Sequence, residues 1–206
     1  VLTNGGWSSF EVRALFSKTV DRVQLVEKIE QHLPRNIAVD TLDLQDRHWD
    51  AYWKEKWQPR VFTNGLCVCP RWRPPPPEAK YVIFIDPGRA FGTGMHETTS
   101  LCLDWLAGIK ELGGLTVVDY GCGSGILAIA AVRLVSADFY SVDIDQYALG
   151  IDKDNATYNG VKVFTGVPKL VEGLEVDIIL ANILLSTLEV LESRFAKLLQ
   201  KGSRIV

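Results

Sequence analysis

Val117-Val-Asp-Tyr-Gly-Cys-Gly-Ser-Gly125 is the stretch whose reading decides the fold. Residues 116–120 form a short apolar run that predicts a buried strand, and the apolar stretch from Ser124 to Val135 predicts a helix. Between them lies a Gly-x-Gly-x-Gly turn. Without side chains at Gly121 and Gly123, the backbone can turn sharply and a ligand can lie against it. The helix start behind the turn offers N–H groups that have no partner within the helix. About 20 residues further on, at the end of the next expected strand (Phe139–Asp143), stands Asp143. From there a carboxylate can accept hydrogen bonds from both hydroxyls of a ribose.

Two cofactor classes share this arrangement, and spacing separates them. A dinucleotide site calls for Gly-x-Gly-x-x-Gly, the third glycine letting the helix approach the sheet. Ile126 occupies that third position, so the dinucleotide fingerprint fails. The shorter motif suits a cofactor with one nucleoside and no pyrophosphate, which selects S-adenosylmethionine over NAD.

Outward from this unit the chain alternates strand and helix. Upstream, Tyr81–Asp86 predicts a strand that ends in the Gly-rich loop Pro87-Gly-Arg-Ala-Phe-Gly-Thr-Gly94. Thr98 or Thr99 is placed to cap the helix that follows, with Cys102, Trp105, Leu106 and Ile109 on its buried face. Downstream come a helix over Gln146–Asn159 stopped by Gly160, a short strand over Val161–Phe164, a strand over Asp177–Asn182 and a helix over Leu184–Leu199. Strands alternating with helices of this length mean a doubly wound, mostly parallel α/β sheet of the Rossmann-like kind. Residues 202–206 read as the start of a further strand.

Asn182 closes the strand over Asp177–Asn182, on the edge where open α/β sheets bind ligands. Its amide oxygen can accept a hydrogen bond from a reacting amine. It can equally serve as N-cap of the next helix, and the two uses are compatible. Ile183 and Leu184 follow, where methyltransferases acting on bases and amides usually carry Pro-Pro-aromatic, so a flipped base is disfavoured. In the loop over residues 86–99, Phe91 and Thr93 are positioned to fold over a cofactor. Phe91 as a packing plug and His96 as a structural residue are the plainer readings.

The N-terminal part has a different character. Val12, Ala14 and Phe16 alternate like a strand, Val23, Val26, Ile29 and Leu33 repeat at helical spacing, and Ile37–Leu44 returns to strand character. Asp46–Trp57 predicts a linker helix, with Trp49, Trp53 and Trp57 forming a packing seam. Pro74–Pro77 predicts a stiff, exposed connector.

Composition narrows the function further. With 22 Lys+Arg against 25 Asp+Glu, the net charge of −3 argues against a protein built to wrap nucleic acid. No apolar run approaches the roughly 18 residues of a membrane span, and no signal peptide is visible. Cys67, Cys69, Cys102 and Cys122 show no metal or disulfide spacing, which fits reduced thiols in a cytoplasmic protein. No metal site is expected, and a monomer is the default.

Asp86-Pro-Gly-Arg-Ala-Phe-Gly-Thr-Gly-Met-His-Glu-Thr-Thr99, then Asp119-Tyr-Gly-Cys-Gly-Ser-Gly-Ile-Leu-Ala-Ile-Ala130, Asp143-Ile-Asp145 and Ala181-Asn-Ile-Leu184, in that order, resemble the PrmA family. The likeness starts near Trp49. The glycine motif is common to many methyltransferases, whereas the Ala-Phe-Gly-Thr-Gly-x-His loop is far more specific. The resemblance implies a class I S-adenosylmethionine-dependent methyltransferase that methylates lysine and N-terminal amines of large-subunit ribosomal protein eleven. It implies that Thr99, Gly121, Gly123, Asp143 and Asn182 bind the cofactor, with Phe91 and Thr93 in the covering loop. It also implies a division into part of an α+β, ferredoxin-like recognition module (residues 1–44), a linker helix (45–60) and a catalytic domain (61–206). The first half of the module and the last strands of the catalytic sheet would then lie outside this chain. Methyl transfer to another protein, to RNA or to a small amine is the alternative, and a non-catalytic S-adenosylmethionine-binding module is a further one.

Overall fold

In the computed structural model, residues 12–17, 19–34, 37–43, 54–109, 114–134 and 138–206 are described. The chain divides into two compact units, Val1–Trp49 and Asp50–Val206.

In the first unit the expected helix forms as α1 (Arg22–His32), with the Asp21 carboxylate accepting from the N–H groups of Val23 and Gln24. The two flanking strands do not form. Residues 12–17 and 37–43 carry no strand pairing, and Val12 and Phe16 stand open to solvent. An alternating run becomes a strand only when a neighbour takes up its backbone groups, and no such neighbour lies among the described residues. Instead Arg22 holds residues 37–43 beside the helix, donating to the Thr41 hydroxyl at 2.6 Å and pairing with Asp43 at 3.3 Å. The tryptophan seam falls largely outside the described residues. Trp57 is described, and it is buried edge-to-face on Trp72 at 5.3 Å.

Among its described residues the second unit holds two sheets. A small one, in the order β1-β2-β3, pairs β1 (Arg60–Val61) antiparallel and β3 (Tyr81–Ile85) parallel to β2 (Leu66–Pro70). The proline run therefore links two strands of one sheet, and β3 is not part of the main sheet that its neighbours suggested. Cys67 and Cys69 share a face of β2, both buried, and burial pushes the Cys67 thiol up to about 11.

The helix α2 (Glu97–Gly108) leads into the main sheet. Its five parallel strands are β4 (Thr116–Tyr120), β5 (Asp138–Val142), β6 (Phe164–Gly166), β7 (Val176–Leu180) and β8 (Leu199–Ile205). They lie in the order β6-β5-β4-β7-β8. The crossovers are α3 (Ile126–Leu134) after β4, α4 (Gln146–Tyr158) after β5 and α5 (Leu185–Leu198) after β7. Successive strand side chains point to opposite faces. Val117, Ile178 and Leu180 accordingly join one core with α2 and α3, while Val118, Ile179 and Val142 join a second with Phe195 and Leu198 of α5. A sheet buried on both faces is the doubly wound architecture expected.

The short strand after α4 lies three residues later than expected. Gly160, at a positive φ of 63°, ends the helix, and Val161 N–H donates back to Ala156. Val161 and Val163 then pack on the core as apolar coil, and the ladder with β5 begins at Phe164. The strand near the C-terminus begins at Leu199, and its Val176↔Leu199 and Ile178↔Arg204 pairings flank an irregularity.

Candidate active site

Parallel register brings the ends of β4, β5 and β7 to one edge. Tyr120 pairs with Val142, and Asp119 with Leu180, so Gly121, Asp143 and Asn182 all follow at the carboxyl end. The order reverses between β4 and β7, which makes this edge the topological switch point where such sheets take ligands.

The glycine turn is built for backbone approach. Gly121, Gly123 and Gly125 all have positive φ. A Cβ on Gly123 would lie 2.5 Å from the Phe91 carbonyl oxygen, and one on Gly125 would run into the Asp152 carboxylate. The helix begins at Ile126, not Ser124, because Gly125 is still in the turn, its N–H donating to Cys122 at 2.9 Å. Asp143 closes the turn from the next strand. Its carboxylate accepts from Gly123 N–H at 3.0 Å through one oxygen and from Asp145 N–H at 3.0 Å through the other. Ile144, beside it, is 86% exposed.

The loop after β3 lies directly on this turn. The Phe91 and Gly92 carbonyls accept from the N–H and hydroxyl of the buried Ser124, at 2.8 and 2.6 Å. The Phe91 ring is 55% exposed and meets the His96 ring edge-on at 5.6 Å, so it is not a packing plug. Thr93 accepts from Met95 N–H at 3.2 Å. His96 itself caps α2, its ring nitrogen accepting from Thr98 N–H at 3.3 Å. Neither Thr98 nor Thr99 is the cap. An imidazole acceptor at that position replaces the usual hydroxyl, and the structural reading of His96 is the one seen. Leu103 and Ala107 replace Trp105 and Ile109 as fully buried members of the α2 face.

Thr99 is freed from capping and buried. Its hydroxyl accepts from the Asn182 side-chain N–H₂ at 2.9 Å. Asn182 therefore does not cap α5: the cap position is Leu184, which makes no side-chain bond. With its nitrogen committed to Thr99, Asn182 keeps its oxygen as an acceptor at the sheet edge.

Beneath the turn lie groups that the sequence did not single out. Asp119, at the end of β4, is buried and accepts from Ala128 N–H at 3.2 Å, reaching into the first turn of α3. Burial first, and then the Asp152 carboxylate, push it up to about 8, against the Ala128 bond, with Asp143 adding to the rise. Asp152, also buried, is raised to about 6 by burial despite hydroxyl bonds from Thr165 and Ser141. Cys122 lies in the motif, but burial and these carboxylates push its thiol far up, so it is no nucleophile. Among the described residues no cluster of His, Cys, Asp and Glu is arranged to hold a metal.

A five-stranded parallel sheet, a Gly-x-Gly-x-Gly turn pressed on an acidic strand end and an Asn at the adjacent strand end define a class I S-adenosylmethionine-dependent methyltransferase. Residues 2–206 match the family model described as ribosomal protein L11 methyltransferase (PrmA). The chain belongs to that family. It is 39% identical over 204 residues to the ribosomal protein L11 methyltransferase of Vibrio cholerae, spanning 97% of this chain and 69% of that protein. The Klebsiella pneumoniae protein of the same name is 42% identical over 183 residues, 86% of this chain and 62% of that one. The chain thus spans about two thirds of the length of these relatives. A solved structure of the ribosomal protein L11 methylase from Lactobacillus delbrueckii superposes with a TM-score of 0.63 at 31% identity. That match covers 72% of this chain and 78% of the other.

Proposed function

We propose that this chain carries the catalytic part of an S-adenosylmethionine-dependent protein methyltransferase acting on lysine and N-terminal amines of ribosomal protein L11. The observation that carries the reading is the contact between Asp143 and Gly123 at the switch-point edge. It joins a carboxylate able to take a ribose to a backbone cradle that any Cβ would fill. The residues therefore fit the cofactor: Gly121 and Gly123 give close approach, Asp143 takes the ribose hydroxyls and Ile144 offers an apolar face to the adenine. Phe91 and Thr93 belong to the loop above it.

S-adenosylmethionine supplies an electrophilic methyl group on a sulfonium. The protein supplies position and electrostatics. The Asn182 oxygen, fixed because Thr99 holds the nitrogen, accepts an N–H of the incoming amine and aims its lone pair. That amine must be neutral, whereas a free lysine titrates near pKa 10.4. Removing it from water beside a positive charge favours the neutral form. None of the buried carboxyls is assigned as a base. The mildly acidic chain suits a basic ribosomal protein, and we place the enzyme in the cytoplasm as a monomer that binds no nucleic acid itself. Among the described residues no helix is long and apolar enough to cross a membrane.

Labelled methyl transfer is the test. Ribosomal protein L11, ribosomal RNA, DNA and a small amine are offered in parallel, and label in the protein alone is expected. Label in RNA or the amine, with the protein blank, overturns the substrate assignment.

A further inference from the structure

The cofactor turn and the loop above it are joined by a residue with no expected role. Asn155 lies on α4, wholly buried. Its side-chain oxygen accepts from Asp86 N–H at 3.0 Å and from Arg71 at 2.7 Å. Its nitrogen donates to the Asp86 carbonyl at 3.1 Å and to the Ser124 carbonyl at 2.9 Å. An amide has two donors and two acceptor sites, and here all four are used. Asp86 is the first residue of the 86–94 loop, and Ser124 lies within the glycine turn. A single amide thus fixes the root of the loop to the turn, while Ser124 holds the loop's far part through Phe91 and Gly92. Arg71 is itself held by Asp154 at 2.7 Å and by the Tyr158 ring at 4.4 Å.

One turn along α4, Asn159 makes a parallel clamp that provides an internal control. It accepts from Phe84 N–H at 2.8 Å and donates to the Phe84 carbonyl at 2.7 Å, two residues before Asp86. It also donates to the Asn155 backbone carbonyl at 2.8 Å, but touches neither the loop nor the turn.

We infer that Asn155 is a positioning residue for the cofactor site, setting the spacing between the 86–94 loop and the glycine turn, whereas Asn159 only holds β3 on α4. The cofactor identity rests on the methyltransferase reading above, but the spacing does not. Removing the amide takes a partner from two carbonyls, the Asp86 N–H and an Arg71 guanidinium N–H beneath the site, at the hinge of loop and turn. Affinity for S-adenosylmethionine is then expected to fall about tenfold to a hundredfold.

The test compares Asn155→Leu, Asn155→Asp and Asn159→Leu in the full chain, well below each variant's thermal midpoint. Asn155→Asp keeps the shape and the acceptors but sets an oxygen against two carbonyls, so it covers the case in which Asn155→Leu fails to fold. Amide hydrogen exchange of unliganded protein is expected to quicken over residues 86–94 in the Asn155 variants and not in Asn159→Leu. Calorimetry with S-adenosylmethionine is expected to show the affinity loss in the same variants only. Equal effects from Asn155 and Asn159 substitution, or unchanged exchange over the loop, overturn the inference. If the unaltered chain fails to bind S-adenosylmethionine, the methyltransferase reading fails, and the exchange comparison still decides the role of Asn155.

Discussion

At the scale of single residues, the buried carboxyl of Asp119 has a measurable consequence. In the unfolded chain an Asp ionises near pH 4, whereas in the native state Asp119 keeps its proton to about pH 8. Between those values the native state binds more protons, so stability falls as pH rises from about 4 to about 8 and levels off beyond. Asp152, raised to about 6, adds a shorter fall of the same sign. Denaturant midpoints of Asp119→Asn are expected to decline less over this range than those of the unaltered chain. An identical slope would show that Asp119 is ionised in the folded state. Asn182 and its partner Thr99 have a consequence for methyl transfer. Thr99→Val removes the acceptor that fixes the amide, and Asn182→Ala removes the amide. Both are expected to slow transfer, Asn182→Ala by about tenfold or more for a lost positioning bond. Unchanged turnover and cofactor affinity in Asn182→Ala would remove it from the mechanism.

At the scale of elements, β4, the glycine turn and α3 act as one piece, because Asp119 at one end bonds the first turn of the helix at the other. Gly125 sits at its tightest point, at a φ of 77° and hard against Asp152. Gly125→Ala is expected to cost about 2 to 4 kcal/mol in chemical unfolding, from backbone strain and overpacking together. A loss below 1 kcal/mol would mean that the turn yields. This piece was legible in the sequence because its pattern is local: an apolar run, glycines, then an apolar helix. The positions of Asp143 and Asn182 were legible too, since each follows the end of a strand at a recognisable spacing. Asn155, Asp152 and Ser124 were not. Their partners lie far away in sequence, and a buried polar residue on a helix shows no periodicity that separates it from a solvated one. The cap of α2 was assigned to Thr98 or Thr99 because hydroxyls are the usual acceptors there, whereas the His96 ring takes that place.

At the scale of the whole molecule, the doubly wound sheet was readable from the alternation of elements, and the small sheet was not. Strand pairing of β2 with β3 depends on a contact across the proline run, which local patterns do not carry. The first unit shows the opposite outcome: alternating apolar residues suggested strands, and residues 12–17 and 37–43 find no strand partner among the described residues. What the molecule as a whole presents is a sheet edge where three strand ends, the glycine turn and the covering loop meet. What that edge binds decides the function. Calorimetric titration of the chain with S-adenosylmethionine and with NAD, repeated on Asp143→Ala, tests it most directly. Saturable binding of S-adenosylmethionine alone is expected, weakened about tenfold to a hundredfold in Asp143→Ala by loss of charge-assisted hydrogen bonds. Comparable binding of NAD, or an affinity for S-adenosylmethionine unchanged in Asp143→Ala, would contradict it.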